Sequence, residues 1–315
     1  MAVEMVGAVL MLQSLILTML LVELLLYVWL GRYMAALGSE PLQIGALILL
    51  IAMLWRLSHA LLSYLVAAFL RWRDARSLPL GNSLAALASE LKARSISYNW
   101  SQAFPGWALG SDPEGSHDGV PILLVHGFFS NRGMWVRFRQ RLAAANVGPI
   151  YTVTLEPLTG SIDAMVPVLA ARIAEILRAT YQEKIIVVAH SMGGLVTRAY
   201  MAQNGATRIA RFITLGTPHH GTQLAGIGLF ECARQMKYQG PWLEMLADME
   251  AADPPGVPTL SIYTLNDDLV YPPESAVLEW AECVPVSALG HVGLLFSEPV
   301  ANRVIAAIRK RISRA

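Results

Sequence analysis

The chain has 315 residues, 55% hydrophobic and 15% charged, and its 24 Lys and Arg against 23 Asp and Glu leave a formal net charge of +1. It carries no basic stripe, zinc-type Cys/His spacing, Walker loop or dinucleotide fingerprint, which excludes nucleic acid and nucleotide cofactors as expected partners. The two cysteines, Cys232 and Cys283, suit a reducing compartment without requiring one.

The hydrophobic excess lies in the first seventy residues. Met5 to Leu30 is almost wholly apolar, with Glu23 its only ionisable residue, and Leu42 to Leu70 is a second such stretch carrying Arg56 and His59. Each exceeds the ~20 residues that cross a bilayer as a helix. With Gly31 to Pro41 as a short turn, residues 1–76 predict a membrane hairpin of two transmembrane helices. A cleaved signal peptide competes with this reading. Against it, Met1 to Glu4 has no basic residue, the run is too long for a signal core, and Ala36-x-Gly38 only weakly mimics a cleavage site. Glu23, Arg56 and His59 are costly in lipid. Three readings are open: they pair between the helices, they drive self-association of the hairpin, or the second crossing ends near Arg56. Arg71, Arg73 and Arg76 follow the second stretch, whereas the turn has Arg32 balanced by Glu40, so the positive-inside rule puts the remainder on the cytoplasmic face. Residues 77–117 form a polar connector with no readable motif.

From residue 118 the pattern alternates between strands and helices. Pro121 to Val125 is a strand, as is Ile150 to Leu155. Ser161 opens a helix with Met165, Leu169, Ile173, Ile176 and Leu177 at helical spacing. Strand Ile185 to Ala189, helix Met192 to Gln203, and strands Ile209 to Leu215 and Val257 to Thr264 follow. Val284 to Ser287 is the last strand and Glu298 to Ile312 the last helix. Such alternation predicts an α/β fold, a mostly parallel sheet with helices on both faces. Between Thr222 and Pro258 it is interrupted. Gly240-Pro241 starts a helix with Trp242, Met245, Leu246 and Met249 on one face, and Asp253-Pro254-Pro255-Gly256 ends it. Residues 222–256 read equally as a cap over an acyl-chain pocket or as a plain amphipathic helix on the sheet.

The chemistry starts at Ala189-His190-Ser191-Met192-Gly193. A β-branched run ends in a serine between small residues and turns into a helix, the pattern of a nucleophile elbow with Ala189 in the first glycine position. A serine needs a base, and the base needs an acid. His291, in the glycine-flanked Gly290-His291-Val292-Gly293 before the last helix, is the expected base. The acid is expected in Leu265-Asn266-Asp267-Asp268-Leu269, the loop after a strand. Asp267 is preferred because it leaves the strand end first, with Asp268 the alternative and the other one expected to cap its own loop. The N–H of Met192, after the nucleophile, and that of Phe128, after the strand and His126-Gly127, are the expected oxyanion donors. His126 reads as structural, and so does Gly216-Thr217-Pro218-His219.

Val125-His126-Gly127-Phe128, Ala189-His190-Ser191-Met192-Gly193-Gly194, Gly216-Thr217-Pro218-His219-His220-Gly221-Thr222, Asp267-Asp268-Leu269-Val270 and Gly290-His291-Val292-Gly293-Leu294-Leu295 together resemble the bacterial triacylglycerol lipase/esterase branch of the α/β-hydrolases. The resemblance runs from about residue 118 to the C-terminus. It implies an α/β-hydrolase catalytic domain over residues 118–315, a triad of Ser191, Asp267 and His291, oxyanion donors at Phe128 and Met192, and a bacterial inner-membrane location. Larger members carry calcium beside an aspartate shortly after the catalytic histidine. Val292 to Ser297 has no carboxylate, so neither that metal nor a cofactor is expected.

The expected function is therefore a membrane-anchored serine hydrolase acting on a carboxyl ester of lipidic character. Two alternatives accompany it: acyl transfer by the same triad, and a non-catalytic membrane scaffold that keeps the fold for binding.

Overall fold

A strand covered on both faces needs apolar side chains at every position, and Ile122–Val125 (β1), Ile150–Val153 (β2), Ile185–His190 (β3) and Ile209–Leu215 (β4) are buried throughout. Thr259–Thr264 (β5) and Glu282–Val286 (β6) complete one sheet in the order β2-β1-β3-β4-β5-β6, every neighbouring pair parallel. The computed structural model describes residues 2–113 and 119–310. Alternation along each strand divides the core. Leu123, Val125, Val187 and Ala189 face a layer built by helices Ile162–Thr180 and Met192–Asn204. Ile122, Leu124, Ile186 and Val188 face Val136–Ala144 and Glu298–Arg309. The sheet is thus flanked by helices on both sides, in the α/β-hydrolase architecture. β6 is the exposed edge, which tolerates Pro285. Arg311 and Ile312, which the sequence pattern assigns to the end of the last helix, lie outside the described residues.

In chain order the helices are Ala2–Ala36 (α1), Pro41–Arg73 (α2), Leu80–Ile96 (α3), Pro105–Leu109 (α4), Val136–Ala144 (α5), Ile162–Thr180 (α6), Met192–Asn204 (α7), Glu231–Gln235 (α8), Pro241–Ala252 (α9) and Glu298–Arg309 (α10). The Ser161 side chain caps α6 by accepting from Ala164 N at 3.0 Å. Helix α9, within the segment that reads equally as cap or plain helix, is fastened down. Leu243 and Leu246 join the core, Trp242 Nε1 donates to Asp163, and the buried Arg198 guanidinium grips Glu250 through two bonds of 2.8 and 2.6 Å. Breaking that pair strands a buried charge. Arg198→Met is expected to destabilise the fold by about 3–5 kcal/mol, read as a lowered midpoint of thermal unfolding in detergent.

Met11–Ala36 (26 residues, mean hydropathy 2.1) and Pro41–Arg73 (33 residues, mean hydropathy 1.9) are long and apolar enough to cross a membrane. Of the three readings for their charges, pairing between helices holds for Glu23 and Arg56, whose side chains meet at 2.6 Å. The His59 side chain lies outside the described residues. Helix α1 also touches the α/β domain, since Leu12 and Ile16 pack with Ala103 and Leu158 and against Phe129.

Residues 80–96, which carry no recognisable motif, form α3, and a π-turn at Ser97–Ser101 extends it. One face of α3 buries Ala86, Glu90 and Ala93 against the loop that follows β6.

Candidate active site

In a parallel sheet the loops after the strands leave one edge, and a crevice opens where successive connections run in opposite directions. Here β1 connects outward to β2 on one side, while β3 leads to β4, β5 and β6 on the other. Ser191 follows β3 at that divide. Its backbone has φ 55° and ψ −131°, a left-handed conformation unusual for a residue with a side chain. The strain is held by Ser191 N donating to Leu215 O at 3.0 Å and by the start of α7. The turn also explains the small residues around it. A Cβ at Gly193 would collide with His126 O and sit 2.7 Å from Val125 O. A Cβ at Gly127 would sit 2.7 Å from Ser191 Cβ. The backbone before Phe128 therefore runs directly against the serine. Ser191 is half-buried and Met192 fully buried.

The two aspartates after β5 divide their work. Asp267 Oδ2 meets His291 Nδ1 at 2.9 Å, both side chains buried. Asp267 Oδ1 also accepts from Leu269 N and Val270 N at 2.9 and 2.7 Å, so the residue that binds His291 also caps the loop. Asp268 does not cap its own loop, contrary to the expectation from sequence. Its Oδ1 accepts from His291 N at 3.2 Å, and its Oδ2 accepts from Ser63 Oγ at 2.6 Å and Arg94 Nη2 at 2.5 Å. The reason is its neighbours: α2 and α3 put a hydroxyl and a guanidinium where an exposed loop would meet solvent.

Burial alone would depress His291, but the Asp267 carboxylate, aided by Glu90 and Asp268, outweighs it and raises the imidazole above its ordinary value. Burial raises Asp268 too, and it pushes Glu90 up to about 7. The other histidines here go the opposite way. Burial lowers His126 to about 4, and both its ring nitrogens are engaged, by Gly127 O and by Leu155 N, each at 2.9 Å. His190 and His219 are likewise held neutral by burial. The His190 ring lies 4.7 Å from that of His291 and its Nε2 faces His291 O at 3.2 Å, so it supports the base loop from below. Because the folded state refuses protons that the unfolded chain accepts below about pH 6.5, these three groups favour folding above that pH and lose their contribution as pH falls. His291, Glu90 and Asp268, whose values are raised, take up protons on folding and oppose them in sign.

Sequence reasoning missed Glu90, Arg94, His190 and Gly216 as neighbours of His291. A Cβ at Gly216 would lie 3.3 Å from the His291 ring, so the stretch that reads as structural also floors the site. For Glu90 and Arg94 the available signal is their i,i+4 spacing, which on its own describes an exposed helical pair. Phe129 stacks on Phe230 from the segment after β4, and Phe128 tilts against both, an aromatic cluster beside the serine turn. Among the described residues, no three His, Cys, Asp or Glu side chains are grouped to hold a metal ion.

Residues 122–308 match the model of the alpha/beta hydrolase family. Among solved structures, the fold resembles Aspergillus fumigatus lipase B, at 19% identity and a TM-score of 0.56 over 63% of this chain and 54% of that one. It also resembles the mature form of Bacillus licheniformis lipase BlEst2, at 19% identity and a TM-score of 0.53 over 62% of this chain and 96% of that one. The chain thus spans about half the length of the fungal lipase and nearly all of the bacterial one.

Proposed function

The chain belongs to the alpha/beta hydrolase family, and from that premise we propose that it is a membrane-anchored serine hydrolase that cleaves carboxyl esters of lipids. The observation that carries this reading is the buried Asp267–His291 pair at the sheet edge from which the strained Ser191 turn also leaves. The roles follow from charge and proton flow. Ser191 Oγ attacks the ester carbonyl carbon as His291 Nε2 takes its proton. Asp267 accepts from Nδ1–H, fixes the tautomer and balances the imidazolium. The backbone N–H groups of Phe128 and Met192 stabilise the tetrahedral oxyanion. The imidazolium then protonates the leaving alcohol, which departs to give an acyl-enzyme. Water, deprotonated by His291, releases the acid and restores Ser191.

A lipid ester suits the aromatic cluster of Phe128, Phe129 and Phe230 and the apolar helices of the same chain, and both solved relatives named above are called lipases. We assign residues 1–76 to a hairpin in the membrane, 77–117 to a connector and 118–315 to the catalytic domain, with 222–256 shaping the pocket. Arg71, Arg73 and Arg76 favour the cytoplasmic face, in a bacterial inner membrane.

The experiment is hydrolysis of p-nitrophenyl esters of increasing acyl length by detergent-purified protein, with a fluorophosphonate label mapped by mass spectrometry. Turnover that rises with chain length and a label on Ser191 support the reading. Well-folded protein with neither turnover nor label defeats it. The base must be neutral to work, so with His291 raised the acid limb of the rate profile is expected above about pH 6.5. Half-maximal kcat/KM below that pH would contradict the Asp267 pairing.

A further inference from the structure

Three backbone N–H groups around the base are held from outside its own loop. Gly290 N donates to Ser89 Oγ at 2.9 Å, His291 N to Asp268 Oδ1 at 3.2 Å, and Gly293 N to Glu90 Oε2 at 2.9 Å. Arg94 ties the two carboxylates together, with Nε on Glu90 Oε1 at 2.7 Å and Nη2 on Asp268 Oδ2 at 2.5 Å. Glu90 is fully buried, as is Asp268. The fit is close enough that a Cβ at Gly290 would collide with Glu90 Oε2, and one at Gly293 would sit 2.6 Å from Ser89 Oγ. The two glycines flanking His291 therefore let α3 pack on the base loop, rather than serving its mobility.

The same segment reaches the other half of the site. Past the π-turn that extends α3, Gln102 accepts from Asn131 N through Oε1 and from Asn131 Nδ2 through its carbonyl, both at 2.9 Å. Asn131 lies in the loop that carries Phe128. One continuous stretch, Ser89 to Gln102, thus braces the base loop at one end and the expected oxyanion loop at the other. The family match begins at Ile122, so this brace lies outside the matched span.

Burying Glu90, Arg94 and Asp268 is expensive, and a well-packed apolar contact would hold a helix to a loop at less cost. What the ionic arrangement adds is direction. Carboxylate and hydroxyl acceptors fix the loop backbone at Gly290, His291 and Gly293, and so fix where the imidazole points. A displacement near 1 Å of a reacting group can cost about 100-fold in rate.

We propose that Glu90 and Arg94 are positioning residues for His291, and that α3, within the connector, is a constituent of the active site. This rests on the serine-hydrolase reading. The groups around His291 and its loop are Asp267 and Asp268 after β5, Glu90 and Arg94 on α3, and His190 at the end of β3, with Tyr64 of α2 against Gly290 and Arg71 of α2 on Asp267 O.

The test uses the full chain in detergent, with rates expressed per fluorophosphonate-titratable serine so that any unfolded fraction drops out. Glu90→Ala is expected to lower kcat and the labelling rate about 10- to 100-fold, with KM changed less than about threefold. Glu90→Gln keeps an acceptor for Gly293 N–H but turns an amide N–H to Arg94 Nε, and is expected to recover part of that loss. Should Glu90→Ala not fold, Ser89→Ala, which removes the acceptor of Gly290 N–H, takes its place with the same direction of change. Wild-type kcat per titrated serine in Glu90→Ala, or in Ser89→Ala where Glu90→Ala does not fold, overturns the proposal and leaves the hydrolase reading standing. Absence of any label on wild-type Ser191 overturns both.

Discussion

Ser191→Ala is expected to lower kcat on p-nitrophenyl esters by about 10,000-fold or more and to abolish fluorophosphonate labelling, while the protein folds as before. The size follows from the chemistry. Without Oγ no acyl-enzyme forms, and what remains is water attack aided by the oxyanion donors and substrate binding. The fold survives because the Ser191 side chain caps nothing: the turn is held by Ser191 N on Leu215 O and Gly194 N on Ser191 O, each at 3.0 Å. Alanine keeps the Cβ that already lies against Gly127. Equal turnover by wild type and variant, at equal melting temperature, would remove Ser191 from the mechanism.

How much of this is legible in the sequence depends on the range of the interaction. The strands buried on both faces announce themselves as largely apolar runs, because a two-sided environment admits few polar residues. The strand-to-helix turn at Ser191 is equally plain, since a close backbone approach dictates small residues at Ala189 and Gly193 whatever the rest of the chain does. β6 begins at Glu282, two residues before the Val284 expected from sequence, because an edge strand is half solvated and its first residue is charged. The division between Asp267 and Asp268 is legible in part. Order along the strand prefers Asp267, and Asp267 Oδ2 lies 2.9 Å from His291 Nδ1.

The partner of Asp268 is not legible, for a physical reason. Ser63 and Arg94 approach it across sequence separations of 205 and 174 residues, and nothing local marks either as buried. A Glu–Arg pair four apart on a helix has the same spacing whether it faces water or a catalytic loop. Only the packing of α3 against Gly290 and Gly293 separates the two cases. The flanking glycines are visible in the sequence, but their meaning as landing points for a helix needs the third dimension.

The paired substitutions Asp267→Asn and Asp268→Asn carry the second large expectation. In Asp267→Asn the amide keeps Oδ1 as acceptor for Leu269 N and Val270 N, so the loop is retained, but it presents N–H to His291 Nδ1. The imidazole must then hold its proton on Nε2, the atom that has to take one from Ser191. A loss of about 10,000-fold in kcat is expected, with KM little changed. In Asp268→Asn the ring of His291 keeps its tautomer, because Asp268 touches only the backbone of the base. The damage falls on the brace, where an amide N–H would face Arg94 Nη2 and Ser63 Oγ in place of the carboxylate that now accepts from both. The expected loss is about 10- to 100-fold, with a lowered melting temperature because Arg94 keeps Glu90 but loses its second carboxylate partner. Steady-state kinetics and thermal unfolding on the two proteins side by side separate the roles. A larger rate loss in Asp268→Asn than in Asp267→Asn would exchange acid and brace, and would break the link between the Asp267–His291 contact and catalysis.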